Sequence, residues 1–189
     1  MIPLLLLLCT QAQVFELRFE PPFLSNLDVI PTQFVEHSFA AYAPSHSKTP
    51  YRHTFKVEKI IQRDGKQFVE LSITRDKPQK TTLHLTLPME NQTLAHAVEA
   101  TIQAPFGSFS IGEFDTHGLE TTISRVREET VEFQGREVDT VVYALRYANG
   151  KEGRLWINEA YGPLGVLKAR VWKGDEAHEF SLIDFGKDP

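Results

Sequence analysis

The chain has 189 residues, the size of one domain. Hydrophobic residues make up 41% and charged residues 24%, which allows a sizeable core and excludes disorder by composition. The net charge is −5 and there is no Lys/Arg run, so the basic face that displaces counterions from nucleic acid is not provided, and no nucleic-acid partner is expected.

The first residues read MIPLLLLLCTQAQ. Leu4–Leu8 form a short apolar block, and Thr10-Gln11-Ala12 places small residues where a signal peptidase reads. The expectation is a signal peptide over residues 1–12 and a single β domain over 13–189, with a periplasmic or secreted location. The competing reading is a buried apolar strand, since no Lys or Arg precedes the block. Cys9 is the only cysteine, which rules out a disulfide framework and Cys-ligated zinc. It could carry a lipid, as in bacterial lipoproteins, although Leu8 stands where a small residue is wanted. Further along, no run approaches the ~20 apolar residues of a membrane helix, so no transmembrane segment is expected.

Phe15–Phe23 is aromatic, apolar and interrupted by two prolines, an irregular lead-in. In VIPTQFVEHSFAAY a turn at Pro31-Thr32 precedes a strand with Phe34, Glu36 and Ser38 opposite Val35, His37 and Phe39. A loop, APSHSKTP, follows.

The next runs alternate with period two. Tyr51, His53, Phe55 and Val57 face away from Arg52, Thr54, Lys56 and Glu58. After a hairpin turn at Arg63–Gly65, Val69, Leu71 and Ile73 alternate with Phe68, Glu70 and Ser72. Leu83, Leu85 and Leu87 alternate with Thr82, His84 and Thr86. Such alternation means antiparallel strands with one buried and one wet face. The segment from Asn91 to Ile102 is ambiguous: Leu94, Val98 and Ile102 fit a helical stripe or one face of a strand. The Ala-Pro-Phe-Gly turn and the Ser108–Ile111 run behind it favour a strand in a hairpin. From Thr121 on, five runs separated by Gln134-Gly135, Asn149-Gly150, Gly162-Pro163 and Lys173–Asp175 form a meander.

The only two tryptophans stand on neighbouring runs of this meander. Trp156 shares a face with Arg154 and Asn158, and Trp172 with Lys168 and Arg170. Their rings are expected to lie over Lys and Arg stems on the outside of a curved sheet or at its rim.

Catalytic signatures are missing. Gly107–Gly112 has the glycine spacing of a phosphate loop, but Glu113-Phe114 follows where Lys-Ser/Thr should stand. No Gly-x-Ser-x-Gly elbow and no HExxH occurs among the seven histidines. Glu176-Ala177-His178-Glu179 reads as a solvated hairpin tip rather than a metal site. Asn91-Gln92-Thr93 is a glycosylation sequon, without use in a bacterial protein. No catalytic residue, metal or cofactor is expected, and the protein is read as a non-enzyme.

IPTQFVEHSF near the start and YALRYANGKEGRLWINEAYGPLGVLKARVWKGDEAHEFSLIDFG at the end resemble uncharacterised secreted bacterial proteins. In these a Pro-x-x-aromatic-Val-Glu strand opens the domain, and a Trp strand, a Pro-x-Gly turn, a Leu-Lys strand and a closing Phe-Gly end it. Their shape is similar to the LolA/LolB lipoprotein-carrier superfamily. The resemblance implies a single large curved antiparallel sheet, a half-barrel with an apolar concave face. Those carriers close the groove with helices; this chain's periodicity offers few or none.

The expected fold is therefore mainly β, one half-barrel sheet. Phe55, Val57, Val69, Leu71, Leu83, Leu85, Val141, Tyr143, Leu155 and Ile157 are the candidates for its concave, ligand-binding face, because they recur on alternate positions of separate strands. Two functions remain open: binding of a lipid or an acylated protein on that face, or a structural or interaction domain whose core fills itself. The signal-peptide expectation has a direct check. Protein isolated from its native host should lack the Met1–Ala12 peptide by mass spectrometry, and finding only intact Met1 in cytoplasmic material would refute export.

Overall fold

The computed structural model describes residues 33–45, 51–90, 92, 96–111 and 121–188. The Leu4–Leu8 block, Cys9, Ala12, Phe15–Phe23, Pro31-Thr32, Asn91, Leu94 and Gly112–Phe114 lie outside the described residues. Eleven strands follow in chain order: β1 (Ser38–Pro44), β2 (His53–Arg63), β3 (Lys66–Arg75), β4 (Thr81–Pro88), β5 (Glu99–Ala104), β6 (Gly107–Ser110), β7 (Thr121–Phe133), β8 (Arg136–Tyr147), β9 (Glu152–Ile157), β10 (Val166–Lys173) and β11 (Glu176–Lys187). They form one unclosed sheet in the order β6-β5-β4-β3-β2-β1-β11-β10-β9-β8-β7. Neighbours pair antiparallel throughout. Nine of the ten pairings join strands consecutive in sequence; β1 with β11 is the exception that seals the middle.

This order imposes curvature. β6 and β7 are consecutive in the chain but occupy opposite edges of the eleven-stranded sheet. Laid flat, ten inter-strand spacings would separate them by about 48 Å. The ten residues between them, 111–120, reach at most about 40 Å fully extended. They must also travel along the strands, because antiparallel alternation leaves β6 and β7 pointing the same way. A flat sheet cannot be built with this link, so the sheet curls. It curls around its apolar face: one buried cluster joins Phe55, Val57, Leu71 and Leu85 of β2–β4 to Leu145, Leu155, Ala169 and Leu182 of β8–β11.

The alternation sets the register. Val57 pairs with Leu71 and Leu71 with Leu85, a row of side chains on the core face of three strands. On the other face Glu70 approaches Lys59 at 3.4 Å and Arg63 at 3.7 Å. Ser72, expected to face solvent or the rim, is 6% exposed because its hydroxyl donates to Glu58 Oε1 and is covered by that side chain. The ambiguous run resolves as β5 from Glu99 to Ala104, paired with β6 around Pro105-Phe106. The first strand differs from expectation. Glu36 and His37 form a turn, with His37 at φ 65°, and β1 starts only at Ser38. The local alternation of Phe34 to Phe39 is broken because Glu36 leaves the strand direction to accept the Ile60 amide at 2.8 Å.

The turn between β9 and β10 is more than a connection. Residues 158–165 are closed on themselves by Asn158 N to Gly165 O at 2.8 Å, Tyr161 N to Asn158 O at 3.1 Å, and the Asn158 side chain accepting the Ala160 amide at 3.0 Å. Gly162 lies flat against β1 and β11: at φ 74°, a Cβ there would sit 3.3 Å from the Cβ atoms of Ala40 and Phe185. Leu164, two residues on, is fully buried. Gln33 fastens the segment before β1 to this loop through its amide to Pro163 O at 3.1 Å, and Phe34 stacks on Phe55 with centroids 6.4 Å apart. The far tip of β7–β8 reaches the same place. Phe133, Tyr161 and Phe185 form a triangle with centroid separations of 5.4, 6.1 and 5.2 Å.

The tryptophans lie as the charge pattern suggests. Lys168 Nζ sits 5.2 Å from the Trp156 ring and Arg154 Cζ 6.0 Å from the Trp172 ring. Trp156 is more deeply covered than a rim residue, at 7% exposed.

The register predicts an asymmetry between adjacent residues of β3. Leu71→Ala should cost about 2–5 kcal/mol in urea denaturation, from lost transfer and packing. Glu70→Ala should cost at most about 1 kcal/mol, since its ion pairs are partly solvated. Equal losses would show that the two faces have been exchanged.

Candidate functional site in a cleft of the concave face

All ten sequence-selected residues belong to strands β2, β3, β4, β8 and β9 and to the face that carries the core. Their surroundings divide them. Phe55, Val57, Val69, Leu71, Leu83, Leu85, Leu155 and Ile157 are at most 5% exposed and form part of the central cluster. Val141 and Tyr143 are only half-buried.

Val141 and Tyr143 open onto a cleft of about 610 Å3. Register explains its lining. Val141 pairs with Ile157 on β9 and with Glu128 on β7, and Tyr143 pairs with Leu155. Asp139, two residues before Val141, pairs with Thr130. One face of the sheet therefore presents Asp139, Val141 and Tyr143 on β8, Glu128 and Thr130 on β7, and Ile157 on β9. Asn158 and Glu159 of the β9–β10 loop close one end, and Glu129 and Thr140 complete the lining. Ile157 and Thr140 are buried, whereas Glu128, Thr130, Asp139 and Glu159 are exposed, so the cleft has Val141, Tyr143 and Ile157 as an apolar strip at its floor and is otherwise polar, with an acidic rim.

The rim is held by local bonds. Thr130 Oγ1 donates to Asp139 Oδ1 at 2.9 Å, Asn158 Nδ2 to the Asp139 carbonyl at 2.8 Å, and Gln33 Nε2 to Glu159 Oε2 at 3.3 Å. Glu128 pairs with Arg125 at 2.6 Å and Glu129 with Arg127. The Arg127 hydrogen bond holds the Glu129 carboxyl below the usual carboxylate range, and the indole N–H of Trp156 and the charge of Arg154 add to this. The Trp156 N–H acts here by its dipole, without the geometry of a full hydrogen bond. Of the ten residues chosen from the sequence, Val141, Tyr143 and Ile157 line the cleft; the rim was not chosen, because Glu128, Asp139 and Glu159 read as ordinary solvated positions. Among the described residues no group of three or more His, Cys, Asp or Glu could hold a metal ion. No helix of the described residues is long and apolar enough to cross a membrane.

Among the described residues the most perturbed histidine lies elsewhere, in packing rather than in a cleft. His53 is 2% exposed, with Tyr51 edge-on at 5.1 Å and Phe180 at 6.2 Å, and its Nδ1 has no hydrogen-bond partner. Burial, with help from the charge of Arg75 and against that of Asp76, lowers its pKa to about 4. Arg75 is itself placed over the Tyr51 ring, 4.2 Å from the centroid.

A curved, unclosed antiparallel sheet with a partly open concave face is the class of structure defined by this geometry. No protein-family profile and no curated protein matches the chain. Solved structures to which it is similar include MucB, at 11% identity and TM-score 0.44, covering 95% of this chain and 60% of that one. A candidate lipoprotein from Parabacteroides distasonis is similar at 10% identity and TM-score 0.43, covering 83% of this chain and 98% of the other. A candidate exported protein with a YmcC-like fold from Bacteroides fragilis is similar at 10% identity and TM-score 0.39, over 84% and 98%. The chain thus spans about 60% of the length of MucB.

His53 generates a pH dependence whose sign follows from its neighbours. Its folded pKa of about 4 lies below the ordinary 6.5, so the unfolded chain binds the extra proton first. The stability it protects is complete above about pH 6.5 and is lost as pH falls to about 4, roughly 3 kcal/mol in all. His53→Leu should flatten the urea stability profile across that window relative to the parent protein. Parallel profiles would mean that the imidazole is solvated in the folded state.

Proposed function

We propose that the protein is a non-enzymatic binding protein of the cell envelope that takes an apolar group, a lipid or the acyl chain of a lipidated partner, on the concave face of β7, β8 and β9. The observation that carries this reading is the pair Val141 and Tyr143. They are half-buried apolar side chains at the floor of a 610 Å3 cleft, on the face whose other members are packed away. Clefts of this size with convergent apolar groups suit small ligands. The envelope part of the reading rests on the Leu4–Leu8 and Thr10–Ala12 pattern.

A second reading has its own support. Eight of the ten concave-face residues are at most 5% exposed, as in a domain whose sheet is filled by its own side chains. A ligand would reach those eight only by displacing what covers them. The ligand reading therefore narrows to the cleft, and Val57 is a core residue for the purpose of any test.

A fluorescent alkyl probe with an uncharged head should bind the folded protein saturably and with unit stoichiometry. Val141→Trp should weaken that binding about tenfold or more by filling the floor, while the thermal midpoint stays near that of the parent; a tenfold loss is about 1.4 kcal/mol. Absence of saturable binding to a folded sample would favour the self-filled core.

A further inference from the structure

We infer, on the reading that the cleft is the ligand site, that its occupant is a cationic amphiphile: an alkyl chain on Val141, Tyr143 and Ile157 with an ammonium group at the rim. Four of the ten lining residues are carboxylates, Glu128, Glu129, Asp139 and Glu159, and none is Lys, Arg or His. Glu128 and Glu129 are compensated by Arg125 and Arg127. Asp139 and Glu159 are not: their partners are the hydroxyl of Thr130 and the amide of Gln33, both neutral. Carboxylates on an open strand would be ordinary surface. Here Glu128, Asp139 and Glu159 stand around Val141, Tyr143 and Ile157, where a bound chain would exclude water and lower the local screening, whereas Glu129 turns its carboxylate to the Arg127 and Trp156 side.

The charge acts on the polar end of whatever the floor accepts. A carboxylate or phosphate head would lie beside two uncompensated negative charges, with no cation among the lining residues to receive it. An ammonium head would replace water at the same place and gain attraction. Discrimination of this kind comes as much from repelling the wrong head as from attracting the right one. It should also weaken with salt, since the rim is exposed.

The test uses three amphiphiles with the same saturated chain and an ammonium, an uncharged or a carboxylate head, each below its micelle concentration. Titration calorimetry on the full chain near pH 7 and at low salt reads the affinities. The expected order is ammonium, uncharged, carboxylate, with about tenfold between successive heads, or about 1.4 kcal/mol each. In Asp139→Asn combined with Glu159→Gln, both neutral and able to keep the local hydrogen bonds, the order should collapse while uncharged-head affinity is retained. Equal binding of all three heads, or tightest binding of the carboxylate, overturns the charge inference and leaves the apolar site standing. An order that persists in the double variant assigns the selection to other groups and likewise overturns it. Failure of all three to bind removes the apolar site and this inference together.

Discussion

The short link between β6 and β7 is the constraint on which the rest depends. A chain that places consecutive strands at opposite edges of an eleven-stranded sheet cannot leave that sheet flat. Curling also gives cover to the face that period-two alternation has made apolar. The inner face becomes a core in which β2–β4 meet β8–β11 in one cluster. The two edges are blunted in different ways. β6 has only four residues, while β7 is bulged between Arg125 and Arg127 and carries the Arg125–Glu128 and Arg127–Glu129 pairs. Short strands, bulges and charges all discourage pairing with another chain.

A curled sheet still needs its ends held. The loop at 158–165 does this by inserting Leu164 into the core and laying Gly162 on Ala40. The Phe133–Tyr161–Phe185 triangle then ties the β7–β8 tip to the same loop and to β11. Aromatic contacts of this kind add to the burial of their area. The cleft lies beside this loop, where Val141 and Tyr143, paired with Ile157 and Leu155 of β9, stay half-buried.

Much of the architecture was legible because alternation is a local signal. The strands from His53 to Pro88 and from Thr121 to Lys187 can be read by eye, and so can the placing of both tryptophans against Lys or Arg, whereas the exchange of partners across the two strands, Lys168 on Trp156 and Arg154 on Trp172, comes from their register. Three things were not legible. Glu36 breaks the first strand by bonding to Ile60, 24 residues away, and no nearby residue announces it. Gly162-Pro163 reads as a turn whatever it packs on, so the plug is invisible until β1 and β11 are placed beside it. The acidic rim combines β7, β8 and the β9–β10 loop, whose approach is set by pairing and not by spacing along the chain.

The division of the concave face into a closed part and an open part follows from where each strand lies. Phe55, Val57, Val69, Leu71, Leu83 and Leu85 sit on β2–β4, inside the sheet, with strands on both sides of each. Val141 and Tyr143 sit on β8, with only the exposed edge strand β7 beyond them. Alternation assigns a residue to a face and carries no information about its distance from the edge. That distance and the position along the strand together decide whether an apolar residue becomes core or floor, since Leu145, further along β8, is 1% exposed. The ten residues chosen by pattern are thus one physical class by face and two by strand order, and solvent reaches the class next to β7, where the carboxylates stand.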